Sequence, residues 1–87
     1  MFIISSVSIA TDKNPSFEAG TRHEYFIGKG EKLFTSEEFY RLKDYWLNEY
    51  GFKTKAAGMK ALRSQQKIND NQDSWGFWTS KSELVER

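Results

Sequence analysis

The sequence predicts a small α+β domain of order ββααβ: an antiparallel three-stranded sheet with two helices packed on one face. Three observations carry this expectation. Residues 2–10 alternate apolar and polar side chains as a strand does. Residues 34–51 carry start and stop signals for an amphipathic helix. Residues 74–79 are an aromatic run of high strand propensity. A chain of 87 residues is expected to be one domain, residues 1–87.

Within Phe2 to Ala10, Ile3, Val7 and Ile9 fall on one side and Ser6 and Ser8 on the other. The branched side is the expected core side, and Phe2 and Ile4 interrupt the polar side. Thr11 to Thr21 reads as a loop turned by Asn14-Pro15 and broken again at Gly20. Phe17 is expected to pin that loop to the body. Arg22 to Gly28 reads as the second strand, Gly28-Lys29-Gly30 as a turn, and Lys32 to Phe34 as a possible short extension.

Thr35-Ser36-Glu37-Glu38 is a capping box, and Phe34 and Phe39 flank it as a hydrophobic staple. The first helix should run from Ser36 to Tyr50 and stop at Gly51. Phe39, Leu42, Trp46 and Tyr50 share one face, flanked by Tyr40, Tyr45 and Leu47. A stripe this wide exceeds what one sheet face needs, so a flank is left for a second helix or a partner. Thr54 should cap a second helix from Lys55 to about Lys67. Its core side, Gly58, Ala61 and Leu62, is small enough for close approach to a neighbour. Residues 69–73 read as a solvated polar loop. Trp75 and Phe77 are expected to face one way from the third strand and Trp78 the other. Residues 80–87 fit either a continued strand or a short terminal helix.

Composition narrows the function. There is no cysteine, so neither a disulfide nor a thiolate metal site can form. This fits a reducing compartment, and the expected location is cytoplasmic. The apolar start lacks the basic segment of a signal peptide. No run approaches the roughly 20 apolar residues of a membrane span, so no membrane partner is expected. Aromatics make up 16% of the residues. Each buries roughly 150–250 Å², enough to build a core and leave rings for a contact surface.

The catalytic inventory is thin, and no enzyme, cofactor or metal is expected. His23 is the single histidine, and no serine sits in a nucleophile elbow. Glu37 and Glu38 are accounted for by the helix start they occupy. Asp70 and Asp73 with Asn69 and Asn71 lack the glycine and terminal glutamate of a calcium loop. Gly28-Lys29-Gly30 lacks the Gly-Lys-Ser/Thr ending of a phosphate loop.

Local charge says more than net charge, since 13 basic groups nearly cancel 12 acidic ones. Between Gly51 and Lys67 stand Lys53, Lys55, Lys60, Arg63 and Lys67, with no acid. These five form the candidate nucleic-acid-binding set, tracking phosphates. The competing reading is a solvated helix face, partly neutralised by Glu37, Asp44 and Glu49 of the first helix.

Gly51-Phe52-Lys53-Thr54-Lys55-Ala56-Ala57 resembles the strand-to-helix passage of the arm-site DNA-binding domain in phage-type tyrosine integrases. The likeness covers seven of 87 residues. In that family strands precede the passage, whereas here a capped helix does, and no function is carried over from it.

The expected function is a non-enzymatic protein-binding module, an accessory or inhibitor protein of a phage or mobile element acting on a larger host machine. Its candidate contacts are Tyr40, Tyr45, Leu47 and Trp78, because aromatics anchor most interfaces. Trp78 is either such an anchor or is covered by the loop of residues 11–21. The alternative is a DNA- or RNA-binding protein using the basic second helix. Either a monomer or an edge-paired homodimer, through Phe2–Ala10 or the last strand, fits the sequence.

Overall fold

A computed structural model describes all residues, Met1–Arg87. Strands β1 (Phe2–Ala10), β2 (Arg22–Ile27), β3 (Leu33–Thr35) and β4 (Trp78–Glu86) form one antiparallel sheet in the order β3-β2-β1-β4. Helices α1 (Ser36–Arg41), α2 (Lys43–Tyr50) and α3 (Lys55–Asp73) complete the α+β fold. The sheet has four strands rather than three. The short extension after the Gly28–Gly30 turn pairs with β2, placing Phe34 opposite Phe26. The last strand starts at Trp78, not Ser74, and its continuation to Glu86 pairs along the whole of β1. β1 is therefore an interior strand, and the sheet edges are β3 and β4.

The helices do not share a face. Neighbouring residues of a strand point to opposite sides of the sheet. Ile3 packs with Phe26, Phe34, Phe39 and Leu47 beneath α1 and α2. Ile4 packs with Ile27, Phe52 and Leu62 beneath α3. The sheet is thus the middle of three layers. The physical reason is the run Phe2-Ile3-Ile4, which is apolar on both sides, so each side demands a cover. Further along β1 the expected polarity is reversed. Ser6 is buried under α3, while Val7 and Ile9 are half-buried on the other side. There they stand beside Arg22, Glu24, Thr79 and Lys81.

The first helix starts as expected. Thr35 Oγ1 accepts the Glu38 N–H at 3.1 Å. It is, however, broken at Leu42, whose φ/ψ of −133°/44° separates α1 from α2. Trp46 Nε1–H reaches across the break to donate to the Glu38 carbonyl at 3.1 Å. The break lets Phe39 and Leu47 enter one core with Phe26 and Phe34. Phe26 and Phe39 stack at 4.1 Å between centroids. Gly51 ends α2 in an extended conformation. A Cβ there would collide with the Leu47 carbonyl.

Helix α3 is longer than its apolar pattern indicates, running 19 residues to Asp73, or about 28 Å. Thr54 caps it, its hydroxyl accepting the Ala57 N–H at 3.1 Å. Gly58 lies on the sheet, where a Cβ would stand 2.7 Å from Leu84 Cδ1. The supposed polar loop of residues 69–73 is instead its last turn, with Asn69 only 3% exposed. Asn69 Nδ2–H donates to Ser82 Oγ at 2.8 Å, and Ser82 shares a 2.7 Å bond with Ser6. Gln65 Nε2–H donates to Asn69 Oδ1 at 3.0 Å. The partners that recruit this turn lie on β1 and β4, far away in sequence.

Candidate nucleic-acid interface

Two features of the α3 face define the candidate site: a stripe of cations and an aromatic pocket at its end. Lys53, Lys55, Lys60, Arg63 and Lys67 are all exposed. None takes part in the structure's two ion pairs, Arg22–Glu24 and Arg41–Glu37. The inward positions Gly58, Leu62 and Asn69 leave the other side of the helix to solvent. Lys60, Arg63 and Lys67 follow one another there at spacings of three and four, as neighbours on a helix surface do.

The opposite-face arrangement changes the electrostatics that the sequence suggests. Glu37, Glu38, Asp44 and Glu49 belong to α1 and α2, beyond the sheet from α3. They form no ion pair with the α3 cations. The near-neutral chain is therefore biased, α1 and α2 carrying four acidic and two basic residues and α3 four basic and two acidic ones, with Asp70 and Asp73 in its last turn.

The pocket lies where α3 ends. Its volume is about 410 Å³ and its walls are Ser8, His23, Tyr25, Gln72, Trp75, Phe77, Trp78 and Ser80. Small-molecule sites span roughly 300–1,000 Å³. The floor is sheet: Ser8 stands opposite His23 on β2 and Ser80 on β4. Ser8 Oγ lies 2.9 Å from Ser80 Oγ and 3.1 Å from Tyr25 Oη. The rim is the turn between α3 and β4. Its Gly76 has φ +83°, a left-handed conformation that favours glycine. Asn14 and Thr11 tie this turn to the 11–21 loop, Asn14 Nδ2–H donating to the Phe77 carbonyl at 2.9 Å. Asp73 Oδ2 accepts the Ser80 N–H at 2.7 Å, while its buried Oδ1 has no partner.

His23 makes no hydrogen bond to Ser8, although the two are cross-strand neighbours. Its ring joins a three-membered cluster with Phe17, at 4.9 Å, and Trp78, at 5.0 Å, which also touch each other. No group of three or more His, Asp or Glu side chains is placed to hold a metal ion.

The four predicted protein contacts do not form one surface. Leu47 is a correction: it is 5% exposed and belongs to the core, because the break at Leu42 rotates α2 toward the sheet. Tyr40 and Tyr45 are 55% and 53% exposed on the layer of α1 and α2. Trp78 lies on the other layer, half-buried against Phe17 at 5.4 Å. The loop of residues 11–21 thus covers part of Trp78. The strand expected to carry Trp75 and Phe77 on one side is likewise corrected, since both belong to the turn before β4 and are 73% and 37% exposed. Of the pocket lining, Trp75, Tyr25, Gln72 and the serines do not stand out in the sequence as candidate site residues. Two signals bear on them: Gly76 inside the aromatic run, and the alternate serines Ser6/Ser8 and Ser80/Ser82.

No protein-family model, curated protein or solved structure matches this chain.

Proposed function

We propose that the chain is a non-enzymatic nucleic-acid-binding protein of the cytoplasm that lays the outer face of α3 along a phosphate backbone. The observation that carries this reading is a set of five exposed, unpaired cations, of which Lys60, Arg63 and Lys67 form a stripe on the outer face of α3 while Lys53 and Lys55 stand at its N-terminal entry. A polyanion is attracted by it and releases counterions on binding. The cysteine-free composition and the packing of His23 against the rings of Phe17 and Trp78 fit binding rather than catalysis.

The test is fluorescence anisotropy with labelled single- and double-stranded oligonucleotides across a salt series. Full engagement of five phosphates gives a log–log slope near −3.5 for a single strand, from about −0.7 per phosphate. Lys60→Glu with Arg63→Glu should flatten the slope by about 1.4 or more on the same relation. Absence of binding at low salt rejects the proposal.

A second reading is favoured by one observation. Tyr40, Leu42 and Tyr45 are 55%, 52% and 53% exposed on α1, α2 and their junction. This apolar set, interleaved with Arg41, Lys43 and Asp44, suits a protein partner, as an accessory or inhibitor protein of a phage acting on a nucleic-acid enzyme would require. Tyr40→Ala with Tyr45→Ala should then abolish partner capture while leaving oligonucleotide binding unchanged.

A further inference from the structure

We infer that the aromatic pocket at the end of α3 receives an unpaired nucleobase, which makes the protein selective for single strands over duplex. The inference rests on the nucleic-acid reading above and adds what the stripe cannot provide, a contact to bases.

Trp75 is the starting point. It is 73% exposed and Phe77 37%, and the two line the pocket with half-buried Trp78 and Tyr25, a contiguous aromatic surface of the kind that marks a binding site. The backbone of the turn that carries it is fixed by hydrogen bonds. Trp75 N–H donates to the Gln72 carbonyl and Gly76 N–H to the Asp73 carbonyl, while Ser74 Oγ–H donates to the Asn71 carbonyl at 2.6 Å. With Trp78 and Tyr25 it gives the cavity flat apolar walls of the kind that bases stack upon. The floor is polar, with the hydroxyls of Ser8, Tyr25 and Ser80. Each hydroxyl both donates and accepts, as does the Gln72 amide, matching the mixed edge of a nucleobase.

Position links the pocket to the stripe. Gln72 belongs to α3 and lines the pocket, and Lys67 lies five residues earlier on the same helix, about 7.5 Å along its axis. On the far side Lys13 lies beside Gly76, with Lys13 Cδ 3.9 Å from that glycine's Cβ position. Gln72 and Lys67 stand about 140° apart around the helix, so a strand whose phosphates follow Lys60, Arg63 and Lys67 reaches the pocket mouth by crossing over the C-terminal end of α3, toward Lys13. A base can enter only if unpaired, because in a duplex both its faces and its pairing edge are occupied.

The experiment compares a labelled 12-nucleotide oligothymidylate, a labelled 12-base-pair duplex and three proteins: wild type, Trp75→Ala and, as control, Tyr45→Ala. Both rings are exposed and outside the core, so the fold is retained. Loss of one base–aromatic stack is expected to weaken single-strand binding about 5- to 150-fold. Duplex affinity and the salt slope should stay unchanged, and Tyr45→Ala should bind as wild type. Equal single-strand affinity for Trp75→Ala and wild type, with salt-dependent binding retained, overturns the pocket and leaves the stripe standing. So does wild-type preference for duplex. Failure of wild type to bind either probe at low salt overturns both readings and leaves the aromatic rim to a protein partner.

Discussion

Replacing Asn69 by alanine separates the two accounts of residues 69–73 sharply. A solvated loop loses nothing when an asparagine is truncated, and such surface changes stay within about 0.5 kcal/mol. The structure places Asn69 at 3% exposure, between Gln65 and the Ser82–Ser6 pair. Truncation removes two hydrogen bonds. Gln65 is half-buried and can turn its amide to water. Ser82 keeps Ser6 at 2.7 Å but loses its second partner in a site closed to solvent. A buried polar group left short of a partner costs about 1–3 kcal/mol. The expected loss is therefore about 2 kcal/mol, and at about 4–8 °C per kcal/mol for a chain of this size Tm falls about 8–16 °C. Urea unfolding followed by tryptophan fluorescence gives the free energy, and calorimetry gives Tm. Asn71→Ala, at an exposed position of the same turn, is the control. A loss below about 0.5 kcal/mol for Asn69→Ala, matching the control, would refute the buried network and return this segment to solvent.

Other expectations follow from the same packing. Leu47→Ala should cost about 2–5 kcal/mol in urea unfolding, as a core leucine does, whereas Tyr45→Ala two residues away should change stability by less than about 0.5 kcal/mol. Thr35→Ala and Thr54→Ala should each cost about 1 kcal/mol by removing a helix cap, and measuring them singly and together should give additive values. Asp70→Asn should tighten oligonucleotide binding about twofold at low salt. Its carboxylate is exposed near Lys67, and a like charge about 10 Å from a phosphate costs about 0.4 kcal/mol in water. Weaker binding by the Asp70 variant would place the strand elsewhere.

Local chemistry was legible wherever its partners lie within a few residues. The Thr35 and Thr54 caps, the Asn14 turn, the glycine between α2 and α3, and the strand at residues 2–10 all follow from side chains acting on adjacent backbone. The basic run from Lys53 to Lys67 and the surplus of rings were legible for the same reason, since composition states them directly.

What the tertiary structure decided was which side each element faces. Phe2-Ile3-Ile4 is apolar in both directions, and alternation cannot say what covers either side. The answer, α1 and α2 on one side and α3 on the other, puts the sheet between the basic face of α3 and Glu37, Glu38, Asp44 and Glu49. The last turn of α3 is held by serines 13 and more residues distant in the chain. No local rule reports them. The pocket, likewise, exists only because antiparallel pairing brings Ser8, His23 and Ser80 side by side beneath the turn that carries Trp75. A sequence displays its short-range hydrogen bonds and its periodicity. Contacts between distant segments depend on the shared free energy of burying both, and that is settled only when the chain closes on itself.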